Sequence, residues 1–310
     1  MKHLVHIGYP KAGSTFLQRC FEQHPELLYQ NFAMGGFYNL HSLPETVRRH
    51  TTGRPYAYAV TSTEVIAIGK AGFRYGSGRL SPSHYCRFLA EYMPGATVLM
   101  ITRGFASMKR SFYRQSILEG YGGTFPDILS RQDQRDRNLL DYDRLISEYR
   151  EAFGPEHVIM LPFELLQEDS DRFLAILQEK LGLREPFANP GKINETKPDT
   201  HLYWIRQLNR LLLASRPMWG EKRFRDFYNR YTRQVKEGGL NTLFSWLARL
   251  FPNRRLVAGP VPQAHLKSCK GLAESLRPLE LYRAYHADYL WEAPPGDTGS
   301  LSFPSKAGTA

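Results

Sequence analysis

Apolar and polar positions in the first half of the chain predict strands and helices in alternation. Residues 4–8, Leu-Val-His-Ile-Gly, read as a buried strand, and 14–23 as a helix. A second apolar run, 56–61, is rich in Tyr, Ala and Val. Ser81-Pro82 opens a helix over 83–93 that closes before Pro94-Gly95. The run Thr97-Val98-Leu99-Met100-Ile101 is continuous and β-branched, as befits a strand covered on both faces. A helix from about 105 to 119 follows and ends at Gly120 and the Gly122-Gly123 pair. Another helix over 139–153 and a short strand over 157–161 complete the series. Such alternation predicts an α/β fold with a central parallel sheet and right-handed crossovers.

Past Gly182 the pattern becomes helical. Asn189-Pro190-Gly191 opens a loop, and helices are predicted over 201–215, 221–235, 241–251 and 272–290. From Ala293 onward Gly, Ser, Pro and Thr dominate and a flexible tail is expected. The expected organisation is a three-layer α/β/α core over 1–188, a helical extension over 189–292 packed on the same domain, and the tail over 293–310.

Composition narrows the class. With 42% hydrophobic and 23% charged residues the chain can bury a sizeable core, which excludes disorder over most of its 310 residues. No run approaches the roughly 18 to 20 apolar residues that cross a bilayer. The N-terminal residues lack the apolar region and cleavage site of a signal peptide, so a cytoplasmic location is expected. Cys20, Cys86 and Cys269 are scattered without a CxxC pair, which points to neither a disulfide framework nor a zinc site. Forty-one Lys and Arg against thirty Asp and Glu leave a net charge of +11. That balance favours polyanionic partners such as phosphates, sulfates or an acidic membrane surface. Without a basic block or a known nucleic-acid motif, nucleic acid is not an expected partner.

The segment richest in chemistry is Gly8-Tyr9-Pro10-Lys11-Ala12-Gly13-Ser14-Thr15-Phe16-Leu17. A strand ends, a Gly-bearing loop turns, and Ser-Thr open a helix. Backbone N–H groups and the positive end of a helix dipole then converge on one spot, which suits an anion. The spacing resembles the nucleotide-binding GxxxxGK[ST] loop with the lysine displaced, because Lys11 precedes Gly13 by two residues. A nucleoside triphosphatase would offer an acidic Mg²⁺ ligand after the next good strand. Here that strand runs into Thr102-Arg103. A phosphorylated nucleotide handled without a metal fits this combination better.

Tyr-Pro-Lys-Ala-Gly-Ser-Thr-Phe-Leu resembles the 5′-phosphosulfate loop of the sulfotransferases that use PAPS, 3′-phosphoadenosine-5′-phosphosulfate. Arg103 and Ser111, eight residues apart, match the arginine and serine that hold the 3′-phosphate in that family. A weaker match is Val158-Ile159-Met160-Leu161-Pro162-Phe163-Glu164-Leu165-Leu166, with Phe163 at the aromatic place near adenine. The family's C-terminal Arg-Lys-Gly signature is not recognisable, and the likeness covers residues 1 to about 183. The resemblance implies a P-loop-like fold, PAPS as sulfate donor without a metal, and a PAPS site made by Lys11, Ala12, Gly13, Ser14, Thr15, Phe16, Arg103, Ser111 and Phe163. It also implies that Lys11 stabilises the leaving group. Many carbohydrate and tyrosyl-protein members use a glutamate base just past the second strand, and Glu64 is the candidate here, with His41, His50 and His84 as competitors. His6, mid-strand, reads as a core histidine.

The acceptor expected from a glutamate base is a hydroxyl of a carbohydrate or glycolipid; a small phenolic or alcohol metabolite is the alternative. Aromatic and glycine-bearing loops at 35–38 and 72–78 lie where an acceptor-binding segment could stand. The helix at 241–251, with Arg254-Arg255 behind it, leaves a peripheral membrane contact or a homodimer contact open, beside simple packing on the core. Two rivals belong to other classes: a nucleotide kinase or triphosphatase, and a nucleotide-binding protein without chemistry.

Overall fold

The computed structural model describes residues 2–9, 11–29, 56–63, 74–75, 78–79, 81–130, 140–191, 197–256 and 259–292. Glu64, His41, His50, the loop at 35–38, the segment 192–196 and the tail at 293–310 lie outside the described residues. The five strands β1 (Lys2–Gly8), β2 (Leu27–Tyr29), β3 (Tyr58–Thr63), β6 (Thr97–Thr102) and β7 (Val158–Pro162) form one parallel sheet in the order β2-β3-β1-β6-β7. β4 (Arg74–Tyr75) and β5 (Gly78–Arg79) make a separate antiparallel pair. Every residue of β6 and β7 is buried, as is β1 from Leu4 onward. These strands lie between two layers, which is why they read as unbroken apolar runs.

Helix α1 (Ser14–Gln23) carries the chain from β1 toward the β2 edge. Helices α2 (Pro82–Tyr92), α3 (Phe105–Leu118) and α4 (Tyr142–Phe153) belong to the connections that lead toward β7. Right-handed crossovers in opposite directions place helices on opposite faces. Accordingly α2 and α4 meet each other, Ser83 Oγ donating to Glu148 Oε1 at 2.8 Å. On the other face Phe21 of α1 packs near Phe187, which follows α5 (Phe163–Glu168) and α6 (Ser170–Leu181). The fold is therefore three-layered α/β/α. Because β1 and β6 send their connections opposite ways, the crevice at their carboxyl ends is the switch point where such sheets bind ligands.

The C-terminal third divides between two cores. Helices α7 (Asp199–Ser215), α8 (Glu221–Glu237) and α9 (Asn241–Leu250) pack with α3 around Tyr113, Ile117, Leu202, Ile205, Tyr231 and Phe244. After the short α10 (Gln263–Leu266), the chain returns to the sheet and buries Cys269, Leu276, Tyr282 and Tyr289 in the same core as β1 and β6. The helix expected over 272–290 is not formed. The segment makes 3-10 turns at Glu274–Leu276 and Glu280–Tyr285 instead, with Pro278, which lacks an N–H, between them. Two smaller offsets have local causes. β3 starts at Tyr58, not residue 56, because Tyr58 is the residue opposite Lys2 where β1 begins. α4 starts at Tyr142 because Asp141 accepts the Arg144 N–H and caps it.

The end of α3 is held from α7. Asn209, fully buried, donates from Nδ2 to the carbonyls of Ile117 (2.8 Å) and Tyr121 (3.1 Å), and its Oδ1 accepts from Tyr231 Oη at 2.8 Å. Ile117 O, in the last turn of α3, also takes the Gly120 N–H at 3.0 Å, so Asn209 adds a donor there and ties Tyr121 beyond the helix to it. Asn209→Leu removes these three buried bonds at once, so urea denaturation is expected to show a loss of about 2–4 kcal/mol. Tyr231→Phe removes one of those bonds and is expected to cost about 1 kcal/mol; equal stability of Asn209→Leu and wild type would contradict this account of the helix end.

Candidate functional site

Register decides which residues meet. Gly8, the last residue of β1, pairs with Ile101, and Thr102, the last of β6, pairs with Pro162. The chain therefore leaves three neighbouring strands at one end, placing Tyr9 and Lys11, Arg103-Gly104 and Phe163-Glu164 side by side.

The loop after β1 is built for an anion. Lys11 has φ 69° and Gly13 φ 82°, so two left-handed residues flank Ala12 and curl the backbone. Its positive φ favours glycine at 13, and a Cβ there would stand 2.5 Å from Leu166 Cδ2, which would have to move. Leu17 N donating to Gly13 O is the first bond of α1, which leaves the N–H groups of Ser14, Thr15 and Phe16 free of intrahelical partners. No side chain caps α1 and no acidic residue lies in its first turn. The positive end of the dipole is thus uncompensated by the helix itself. Ser14 Oγ, within a side chain only 2% exposed, has no hydrogen-bond partner among the described residues. A buried hydroxyl of this kind costs free energy unless a ligand or water engages it. Ala12, fully buried, uses its N–H inside the turn, donating to Tyr9 O at 3.1 Å.

Arg103 joins this loop from β6. Its Nη1 donates to the Lys11 carbonyl, its Nε to Ser107 Oγ at 2.8 Å, and its guanidinium lies 4.5 Å from the centre of the Phe163 ring. Burial pulls the guanidinium below its ordinary value while the Glu164 carboxylate opposes that shift, and an arginine so placed stays charged. Its backbone is clamped: Tyr142 Oη donates to Arg103 O at 2.6 Å and accepts from Arg103 N at 3.2 Å. Glu164 accepts the Gly104 N–H at 2.9 Å and the Tyr289 hydroxyl at 3.2 Å. Burial raises the Glu164 carboxyl, and the Gly104 N–H works the other way. Tyr289 and Tyr282 both bond Thr102 Oγ1, at 2.9 and 2.8 Å, so the C-terminal segment fixes the turn that aims Arg103.

Helix α3 supplies a polar stripe facing the loop. Ser107, Ser111 and Gln115 recur every four residues after Arg103, on one side of the helix. Arg103 engages Ser107, and Lys11 Nζ donates to Gln115 Oε1 at 3.3 Å. Ser111 stands half-buried between them. The structure thus brings Lys11, Ala12, Gly13, Ser14, Thr15, Phe16, Arg103, Ser111 and Phe163 to one end of the sheet. Ser107 and Gln115 were not anticipated, although the four-residue spacing from Arg103 was available to find them. Glu64 follows Thr63, which pairs with Ile7, and lies outside the described residues. His84 bonds Ser81 Oγ at the start of α2 (2.8 Å).

Beneath the loop lies a polar chain inside the core. His6 Nδ1 and Ser62 Oγ are 2.8 Å apart, and Gln18 Nε2 donates to Ser62 Oγ at 3.2 Å. His6 Nε2, fully buried, has no partner among the described residues. A Cβ at Gly8 would lie 2.8 Å from Ser14 Oγ and 3.1 Å from His6 Nε2, so glycine keeps these two polar atoms close under the loop. Two surface clefts, about 480 Å³ beside Tyr121, Gly122 and Gly123 and about 570 Å³ beside Val158 and Leu281, include none of these residues.

No family model matches the chain, and no curated protein sequence matches it. Among solved structures it is similar to a sulfotransferase from Alicyclobacillus acidocaldarius, with 15% identity and a TM-score of 0.48 over 70% of this chain and 92% of that one. It is also similar to mouse sulfotransferase SULT7A1 complexed with PAP, with 12% identity and a TM-score of 0.37 over 67% of this chain and 63% of that one.

Burial pushes His6 down to about 3 from an ordinary 6.5, so the imidazole is neutral in the fold. As pH falls below 6.5 the unfolded chain takes up a proton that the folded chain refuses until about pH 3, and stability declines across that window. The expected slope from this group is up to about 1.4 kcal/mol per pH unit. Urea denaturation between pH 7 and 4.5 is expected to show a shallower decline in His6→Gln than in wild type; parallel curves would contradict a neutral buried His6.

Proposed function

We propose that the chain is a PAPS-dependent sulfotransferase that moves a sulfuryl group to an acceptor hydroxyl. The observation that carries this reading is the meeting of two anion-binding elements at one strand end: the curled Lys11–Ser14 loop at the start of α1, and Arg103 with the α3 stripe through Ser111. A donor with phosphates on both the 3′ and 5′ positions of its ribose needs two such places, whereas an ordinary 5′-nucleotide needs one. The residues present fit it. The loop N–H groups and the orphaned Ser14 hydroxyl suit the 5′-phosphate and Arg103 and Ser111 the 3′-phosphate, while the family resemblance puts the base near Phe163, one face of which the Arg103 guanidinium covers.

In the reaction the acceptor oxygen attacks sulfur in line, the bond from sulfur to the bridging oxygen breaks, and the nucleotide leaves as the bisphosphate. Negative charge grows on that bridging oxygen. The Lys11 ammonium, which donates to Gln115 Oε1 at 3.3 Å, offsets this charge; fixed donors of this kind are typically worth about 3–4 kcal/mol. Glu64, next in sequence after the end of β3, takes the acceptor proton. A carboxylate base leans the reading toward a carbohydrate or glycolipid hydroxyl, and a small phenol or alcohol is the second acceptor class. No metal ligand has a part in this scheme.

Three measurements test it. Wild-type protein is expected to turn over PAPS in EDTA on a panel of desulfated glycans, glycolipids and phenols; turnover of ATP with Mg²⁺ and none of PAPS would favour a kinase or triphosphatase instead. Lys11→Ala is expected to lose at least about 100-fold in kcat while binding the bisphosphate product within about tenfold of wild type, and unchanged turnover would remove Lys11 from the mechanism. Glu64→Gln is expected to lose rate and retain nucleotide affinity; full activity would exclude it as the base.

A further inference from the structure

Helix α9 and the turn behind it carry an apolar surface that the second core uses only in part, with Phe251 beside the Trp204 ring at 5.3 Å between centroids. Only Phe244 of this helix is buried, and Leu247 packs partly beside it against α7 and α8. Leu243, Trp246 and Leu250 are 42%, 58% and 52% exposed, and Phe251 just beyond is 47% exposed. At 100° per residue, Trp246, Leu250, Leu243, Leu247 and Phe244 form one continuous apolar arc of about 160°. The core takes the Phe244 edge, and the Trp246 edge faces outward. Packing against the second core therefore accounts for half of the arc.

The chain that carries this surface is basic, and the carboxylate beside it, Asp199 next to Leu256, is paired with Arg114. Residues 238–273 contain no Asp or Glu, while Arg249, Arg254, Arg255, Lys267 and Lys270 lie among them. Arg249 borders Trp246 on the helix, and Arg254 and Arg255 follow Phe251, all three exposed. A second copy of the chain is a poor occupant, because a twofold contact through this face would set these arginines against their own counterparts. A wide surface with an apolar layer beneath a negatively charged one matches both features. Tryptophan and leucine would enter the acyl boundary while arginines stay among the headgroups.

We infer that residues 243–255 form a peripheral docking surface for an anionic lipid bilayer. The inference rests on exposure and charge alone and does not require the proposed reaction, so either can fail without the other. In the reaction's terms it would bring the enzyme to a lipid-linked hydroxyl.

The test uses the full chain with vesicles of phosphatidylglycerol and phosphatidylcholine, against vesicles of phosphatidylcholine alone. Cosedimentation is expected with the anionic vesicles at low salt, at least tenfold weaker with neutral ones, together with a blue shift of tryptophan emission. Trp246→Ser with Leu250→Ser is expected to abolish the shift and lower partitioning at least tenfold. These side chains are exposed, so the thermal melt should stay unchanged. The Arg254→Glu, Arg255→Glu pair, which leaves the apolar arc intact, is expected to lower anionic partitioning to the neutral level. Failure to cosediment, or partitioning unaffected by both variants, would overturn the inference. A concentration-dependent dimer in sedimentation velocity that Trp246→Ser with Leu250→Ser dissolves would also overturn it, in favour of self-association.

Discussion

The parallel pairing of β1 with β6 is the constraint on which the site depends. Gly8 opposite Ile101 brings the loop and Arg103 off the sheet together, and the Arg103 guanidinium then donates to the Lys11 carbonyl. That bond supports a non-glycine residue at φ 69°, a backbone state that costs on the order of 1 kcal/mol or more and persists only where surroundings impose it. A one-residue slip in this pairing would turn the buried strand faces around and separate the two elements. The unbroken burial of β6 and of most of β1 opposes such a slip.

Around this contact the fold commits buried polar groups that a purely structural turn would not need. Tyr142, Tyr282 and Tyr289 are all nearly or fully buried, and each places its hydroxyl on the β6 exit or the residues bonded to it. Glu164 ties Gly104 to the same cluster. Each such bond contributes only about 1 kcal/mol net, but leaving one unmade in the interior costs more, so the set holds one arrangement of the turn. Two of those tyrosines come from the C-terminal segment at Glu280–Tyr285 and beyond. The segment around Tyr282 and Tyr289 thus reaches back to hold the turn that carries Arg103, and α7 performs a similar service at the far end of α3 through Asn209.

Much of this was legible because the signals are local or periodic. β1, β6 and β7 are apolar on both faces, and the Gly-Ser-Thr start of α1 announces itself in ten residues. Arg103 and Ser111 were paired through the family resemblance, with a spacing that suits one helix face, whereas the contact between Lys11 and Gln115 joins residues 104 apart and has no local trace. The C-terminal segment misled for a physical reason. Its leucines and tyrosines recur at helical intervals, but Pro278 denies the helix its hydrogen bond and the tyrosines are spaced for the core beneath the sheet. The two-residue offset of β3 likewise follows from its partner strand and not from its own composition. The separation of α7–α9 from the last segment depends on tertiary contacts that periodicity does not encode.

The central claim is that one pocket grips a nucleotide at two phosphate positions, with Arg103 reading the second. Calorimetry with adenosine 3′,5′-bisphosphate and adenosine 5′-monophosphate, on wild type and Arg103→Ala, tests it most directly. The ratio of the two affinities cancels any general disturbance of the loop that Arg103 supports. The account predicts that wild type prefers the bisphosphate by at least tenfold and that Arg103→Ala erases the preference. No affinity for the bisphosphate, or a preference that survives in Arg103→Ala, would contradict it.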